Sequence, residues 1–250
     1  MRIIILTFLA LILFMAGIQA DSVVVISASY RAINTVDDNY LAYAFSPAAY
    51  GAADTLCLGH VYDGEAEPPN YLRRIIIKPT LKVSRDSINM ADSSISCACS
   101  LLVKAQTGIG TDDSLVLTVL LKDFSETISD WAHCSTGVHW TTAGAGSDGN
   151  DYKNVVISKI PVPANAEWAV WDCKPALDSI VAYRWNVQGW RITLNDESST
   201  ATETVRFYSA DHATTQNRPN LVFDYAYKIM TGGQRHEQRN RHGQPSRHGG

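Results

Sequence analysis

Trp185-Asn186-Val187-Gln188-Gly189-Trp190-Arg191-Ile192-Thr193-Leu194, then Phe207-Tyr208-Ser209-Ala210-Asp211, then Arg218-Pro219-Asn220-Leu221-Val222-Phe223-Asp224-Tyr225: these three pieces decide the fold class. Each is short and alternates apolar with polar residues, so successive side chains point to opposite sides of an extended chain. Gly, Asn, Asp, Ser and Pro separate them, which is how consecutive strands of an antiparallel sheet are punctuated. Nothing of helical period competes within them.

The same pattern extends toward the amino end. Strand-like runs occupy residues 22–29, 37–45, 55–59, 71–78, 95–104, 115–122, 155–160 and 167–173. Ile75-Ile76-Ile77 is apolar on both faces, which predicts a central strand. The helical signal lies over 175–185, where Ala176, Leu177, Ile180, Val181 and Trp185 share one face and Pro175 suits the first turn. Many short strands and one short helix predict an all-β chain, an antiparallel β-sandwich or jelly roll with the helix over one open end.

Both termini are set apart. Residues 1–20 begin with Arg2, continue through an apolar run over 3–18, and end in Ala20, the pattern of a secretory signal peptide. As a helix that run reaches only ~24 Å at ~1.5 Å per residue, short of the ~30 Å membrane core. No stable membrane span is therefore expected after cleavage. Residues 231–250 carry four Arg and three His among Gly, Gln and Pro, with no aliphatic or aromatic side chain. Such a tail cannot bury enough surface to order itself and is expected to be disordered. That leaves 21–230 as one domain.

Charge narrows the partners. Without Arg2, the four tail arginines and the tail's Glu237, the body holds 16 basic and 24 acidic residues, a balance of −8. That sign disfavours nucleic acid, whose binding depends on neutralising phosphates. The cysteines are Cys57, Cys97, Cys99, Cys134 and Cys173, all disulfide candidates in an exported chain, with one left over because five is odd. Cys97 and Cys99 share a face if they lie in a strand. No Cys-x-x-Cys or His-x-His pair points to zinc.

The order of blocks resembles the DNRLRE domain, a secreted β-sandwich grouped with the carbohydrate-binding modules. Asp37-Asp38-Asn39-Tyr40, then Ala49-Tyr50-Gly51 and Thr55-Leu56-Cys57-Leu58-Gly59, are similar to its opening block. Arg73-Arg74-Ile75-Ile76-Ile77 resembles the strand that follows, with Lys78-Pro79 where the family usually has Phe-Asp. Trp131 and Val138-His139-Trp140-Thr141-Thr142-Ala143-Gly144-Ala145 look like its tryptophan-centred segment. Asp172 followed by 180–185 resembles its later strand and helix, and the opening stretch its end. Lys174-Pro175 replaces the usual Thr, and Asp211 stands where Glu is commoner. The resemblance implies polysaccharide binding at a cell surface.

Six tryptophans fit that implication: an exposed indole covers the apolar face of a pyranose while polar neighbours take its hydroxyls. Trp185 and Trp190 fall on apolar stripes and read as core. Trp168 and Trp171 are three apart, so on a strand they face opposite sides and one is available. Trp131, Trp140 and Trp168 are the platform candidates.

Gly144-Ala145-Gly146-Ser147-Asp148-Gly149 matches a dinucleotide fingerprint only in letters, because a strand rather than a helix is expected to follow. Its Asp148, Asn150 and Asp151 are instead candidates for structural calcium, which takes six to eight oxygens. Asp37, Asp38, Asp112 and Asp113 are acidic pairs of the same kind. His60, His133, His139 and His212 come with no nucleophile elbow, so no catalytic set is assigned. The expectation is a secreted, non-catalytic, glycan-binding sandwich. The alternatives are a structural or adhesive matrix protein that self-associates through its edges or its odd cysteine and, as the minority reading, a polysaccharide lyase or hydrolase.

Overall fold

The structure, a computed structural model, describes residues 28–31, 36–43, 48–61, 71–79, 96–176, 187–199 and 201–225. The strands are β1 (Ala28–Arg31), β2 (Val36–Ala42), β3 (Thr55–His60), β4 (Arg73–Pro79), β5 (Ser96–Thr107), β6 (Ser114–Leu120), β7 (His133–Ser135), β8 (Val138–His139), β9 (Tyr152–Pro161), β10 (Trp168–Asp172), β11 (Gly189–Leu194), β12 (Glu203–Tyr208) and β13 (Asn220–Tyr225). The first and third opening pieces contain β11 and β13, as their alternation predicts, whereas the second overlaps β12 only at Phe207 and Tyr208, with Ser209, Ala210 and Asp211 past the end of the strand. The signal segment, the tail and most of the expected helix lie outside the described residues. Residues 174–176 form the helical start, and Ala176 there is buried. Among the described residues no helix is long and apolar enough to cross a membrane.

Eleven strands join one antiparallel sheet in the order β1-β13-β5-β12-β3-β4-β11-β6-β9, with β10 on β5 and β2 on β4. The sheet folds back on itself as a nearly closed, sandwich-like body, and the long β5 belongs to both layers. Its 96–100 stretch pairs with β13 and its 98–102 stretch with β10, while 103–107 pairs with β12. β9, the last strand of the path, comes close to β10 without pairing with it.

The main core fills the space between layers with Leu56, Leu58, Ile75, Ile77, Leu101, Val103, Leu115, Leu117, Trp171, Trp190, Ile192, Val205 and Phe207. Fully burying each such side chain contributes about 1.5–3 kcal/mol. A second cluster lies on the other side of β4: Leu41, Ile76, Leu120, Phe124, Trp131, Cys134, Trp140 and Ala145. Ile75 and Ile77 thus point into one core and Ile76 into the other, which is why this strand is apolar on both faces. The segment between β6 and β9, with the β7–β8 hairpin inside it, supplies the cover. Gly144 is required there: its φ is +70°, and an added Cβ would sit 2.5 Å from the Trp131 ring.

Candidate functional site

The structure places Trp131 and Trp140 inside, at 8% and 4% exposure. Trp140 donates its ring N–H to the Asp130 carbonyl at 2.9 Å. Trp131 takes the edge of Tyr43 at 5.5 Å and the Arg74 guanidinium at 5.2 Å, with Gly144 pressed against its six-membered ring. Neither indole offers a face to a sugar, which corrects the expectation of an exposed platform at these positions. The reason is tertiary: Ile76 and Leu120 present an apolar surface on the outside of the sheet, and the two indoles shield it from water. An Ile-Ile-Ile strand needs apolar cover on both sides, and that is the signal in the sequence that pointed to this role.

Trp168 has the opposite fate. On β10 the burial alternates, with Trp168, Val170 and Asp172 exposed and Ala169 and Trp171 buried. Trp168 is 40% exposed. Antiparallel register sets it opposite Leu102, Val170 opposite Ser100, and Asp172 opposite Ala98. Ser100 and Ala98 face Asn220 and Val222 of β13 in turn. The outer face of β10, β5 and β13 is therefore a continuous surface about 10 Å wide at ~4.8 Å per strand. It is apolar at Trp168, Val170 and Leu102 and polar at Asp172 and Asn220.

Two local features hold this face. The turn before β10 is pinned by Glu167, whose carboxylate accepts the Ala164 N–H at 3.2 Å, and by backbone bonds from Val103 to Glu167 and from Ala166 to Val103. Farther along β5, Ala105 opposes Arg206 and Val103 opposes Phe207, so Lys104 is the extra residue of a bulge. Bulges re-aim side chains. Lys104 donates to the Thr55 hydroxyl at 2.7 Å and lies 5.5 Å from the Tyr208 ring, which meets His212 edge-on at 4.4 Å. Beyond Leu102, Lys104 of β5 thus lies beside the phenol of Tyr208 at the end of β12, which in turn meets the imidazole of His212 in the turn that follows.

The calcium candidates Asp148, Asn150 and Asp151 hydrogen-bond within their own loop. Asp151 is fully buried, and its oxygens accept the N–H groups of Thr141 (2.8 Å), Thr142 (2.9 Å) and Ser147 (3.1 Å). Lys122 adds an ion pair at 3.7 Å. Asp148 accepts the Asn154 N–H, and Asn150 donates to the Ser147 hydroxyl. These residues tie the 141–151 loop together. Asp113 likewise accepts the Gly110 N–H, and Asp37 pairs with Lys78 at 3.2 Å. Among the described residues no three His, Cys, Asp or Glu side chains gather as metal ligands would.

Two charged groupings were invisible in the sequence. Arg74 grips Glu197 with two bonds, at 2.6 and 2.9 Å, and Arg191 reaches the same carboxylate at 3.4 Å. Burial and the Arg74 charge push Arg191 down to about 10, with Glu197 working against them, so it stays charged at neutral pH. The other grouping centres on Asp38. Its Oδ2 accepts the Ala210 N–H at 2.7 Å, its Oδ1 has no partner, and its own N–H donates to Glu126 at 3.0 Å. Burial pushes its carboxyl up to about 8, the Ala210 bond opposes this, and Glu126, Asp211 and Asp37 add to the rise. Glu126 is raised as well, again chiefly by burial.

A raised carboxyl is a marker of acid catalysis. Asp38, however, is 0% exposed. Asp130 and His133 make the carboxylate–imidazole contact of a hydrolase at 3.1 Å, yet the same Asp130 oxygen also accepts the Ala132 and His133 N–H groups and caps the hairpin.

No protein-family model matches this chain, and no curated protein matches it. The site therefore stands on its own residues. Of the five cysteines, Cys97, Cys99, Cys134 and Cys173 are buried and Cys57 is half-buried.

Proposed function

We propose that the chain is an exported, non-catalytic sandwich module that binds extracellular polysaccharide on the outer face of β10, β5 and β13. The observation that carries this reading is Trp168, an indole standing exposed on a regular strand while Trp131, Trp140, Trp171 and Trp190 are buried. A strand fixed by its ladder to β5 offers a flat ring without a large ordering cost on binding, and preorganisation of this kind favours affinity. Leu102 and Val170 widen the apolar surface, and Asp172, Asn220, Lys104 and Tyr208 can take hydroxyl or carboxyl groups of the polymer. The resemblance of the quoted blocks to the DNRLRE domain supports the same reading, as does the charged-apolar-small order of residues 1–20.

The test is a glycan array with affinity electrophoresis on acidic and neutral polymers, comparing wild type with Trp168→Ala. Binding that falls about 10-fold or more, equal to ~1.4 kcal/mol, with unchanged melting supports the site. Binding that survives the substitution removes it from this face, and no retention on any polymer ends the reading.

Self-association is the second reading, favoured by Val155 and Val156, which stand exposed on the terminal strand β9. Register there passes from Leu117–Ser158 to Val119–Lys153, so extra residues bulge outward and interrupt the edge. Such a bulge blunts strand-to-strand pairing, so any contact at this place is through side chains. Sizing at rising concentration tests it; a monomer throughout rules it out.

A further inference from the structure

Three of the five thiols come from two neighbouring strands. Cys97 and Cys99 lie on the inner face of β5, and Cys173 directly follows β10. The ladder sets Trp171 opposite Cys99 and Asp172 opposite Ala98. One further step puts Cys173 opposite Cys97, and the Cys173 N–H indeed donates to the Cys97 carbonyl at 2.7 Å. The neighbouring Cys97 thiol and burial hold Cys173 well above the usual thiol range.

We propose that Cys97 and Cys173 are a disulfide pair, and that Cys57, Cys99 and Cys134 remain thiols. Geometry selects the partner. Directly opposed residues joined by a ladder bond have Cα atoms about 5.5 Å apart, inside the ~4.4–6.8 Å range a disulfide spans. Cys99 is diagonal to Cys173, and diagonal neighbours sit about 7–8 Å apart, beyond that range. Cys57 is elsewhere, beside the Tyr40 hydroxyl, and Cys134 is in the second core.

The step needs an oxidant, and a small-molecule disulfide such as oxidised glutathione serves. One protein thiolate attacks a sulfur of that disulfide, giving a mixed disulfide and releasing one small thiolate. The second protein thiolate attacks the mixed disulfide at the protein sulfur and expels the other. Two protein thiols are oxidised, one small disulfide is reduced to two thiols, and protons balance. Because thiolate is the attacking form, and the folded interior disfavours it here, the bond forms before β10 closes over Cys97. Its effect is to fasten β10, whose only ladder partner among the described residues is β5, to the rest of the sheet. This inference stands whether or not β10 carries a ligand.

The full chain is refolded in a buffer of oxidised and reduced glutathione, then denatured, alkylated and digested without reduction. The expected result is alkylation of three of the five cysteines, a mass lower by two hydrogen atoms, and a peptide linking Cys97 to Cys173. Cys99→Ser keeps that linked peptide, whereas Cys97→Ser and Cys173→Ser abolish it. Five alkylated cysteines, or a peptide linking Cys99 to Cys173, overturn the proposal. The wild-type peptide map decides alone if a variant does not fold.

Discussion

Replacing Asp38 by Asn changes how stability depends on pH, and the size of the change follows from where the side chain sits. In the unfolded chain this carboxyl loses its proton near its ordinary value of 3.8; in the folded protein it keeps it until about 8. Between those limits the native state binds one more proton than the unfolded state, so stability falls as pH rises. The contribution is fully present below about 4 and lost as pH passes through about 8. At about 1.4 kcal/mol per unit over roughly four units, the span is on the order of 5 kcal/mol as an upper figure.

Asn has the shape of the protonated acid, and its oxygen can still accept the Ala210 N–H, so Asp38→Asn removes the titration without removing the contact. Urea unfolding of both proteins from pH 4.5 to 9, followed by far-ultraviolet circular dichroism, measures it. Wild type should lose several kcal/mol across this range and the variant much less, with the variant the more stable above pH 8. Glu126, also raised by burial, leaves a smaller downward slope common to both. Parallel curves would refute the reasoning, because they would mean Asp38 titrates alike in both states.

Two further outcomes follow. Trp131→Ala opens the second core beneath Gly144, and loss of about 3–5 kcal/mol is expected by denaturant melting; a loss under about 1 kcal/mol would mean the segment is not packed as described. Asp151→Ala strips the Thr141, Thr142 and Ser147 N–H groups of their acceptor, at a cost of about 3 kcal/mol, read from the urea midpoint; melting unchanged by the substitution would show that the loop holds itself by other contacts.

Period-two alternation made β11 and β13 legible, because pleating assigns sides residue by residue, whereas only the end of β12 was found. Ile75-Ile76-Ile77 announced a strand between two apolar surfaces, and β4 is that strand. The opposite facing of Trp168 and Trp171 was likewise written in their odd spacing. Trp131 and Trp140 misled for the converse reason. They stand in a turn-rich segment with no period to assign a side, so local sequence cannot tell a surface indole from one folded over an uncovered sheet. Asp148, Asn150 and Asp151 lie in a segment of the same kind: the sequence shows Asp151 as an oxygen donor, and only the folded loop shows the three N–H groups that its oxygens accept.

Local alternation, turn residues and total apolar content therefore settled by themselves that this chain forms an antiparallel all-β body, because those properties act over a few neighbouring residues. Which face of which strand stays wet, which acid loses its water, and which cysteines meet across a ladder were decided only by the tertiary structure. Each depends on groups such as Asp38 and Ala210, or Cys97 and Cys173, that lie far apart in the chain and become neighbours only once the sheet has folded back on itself.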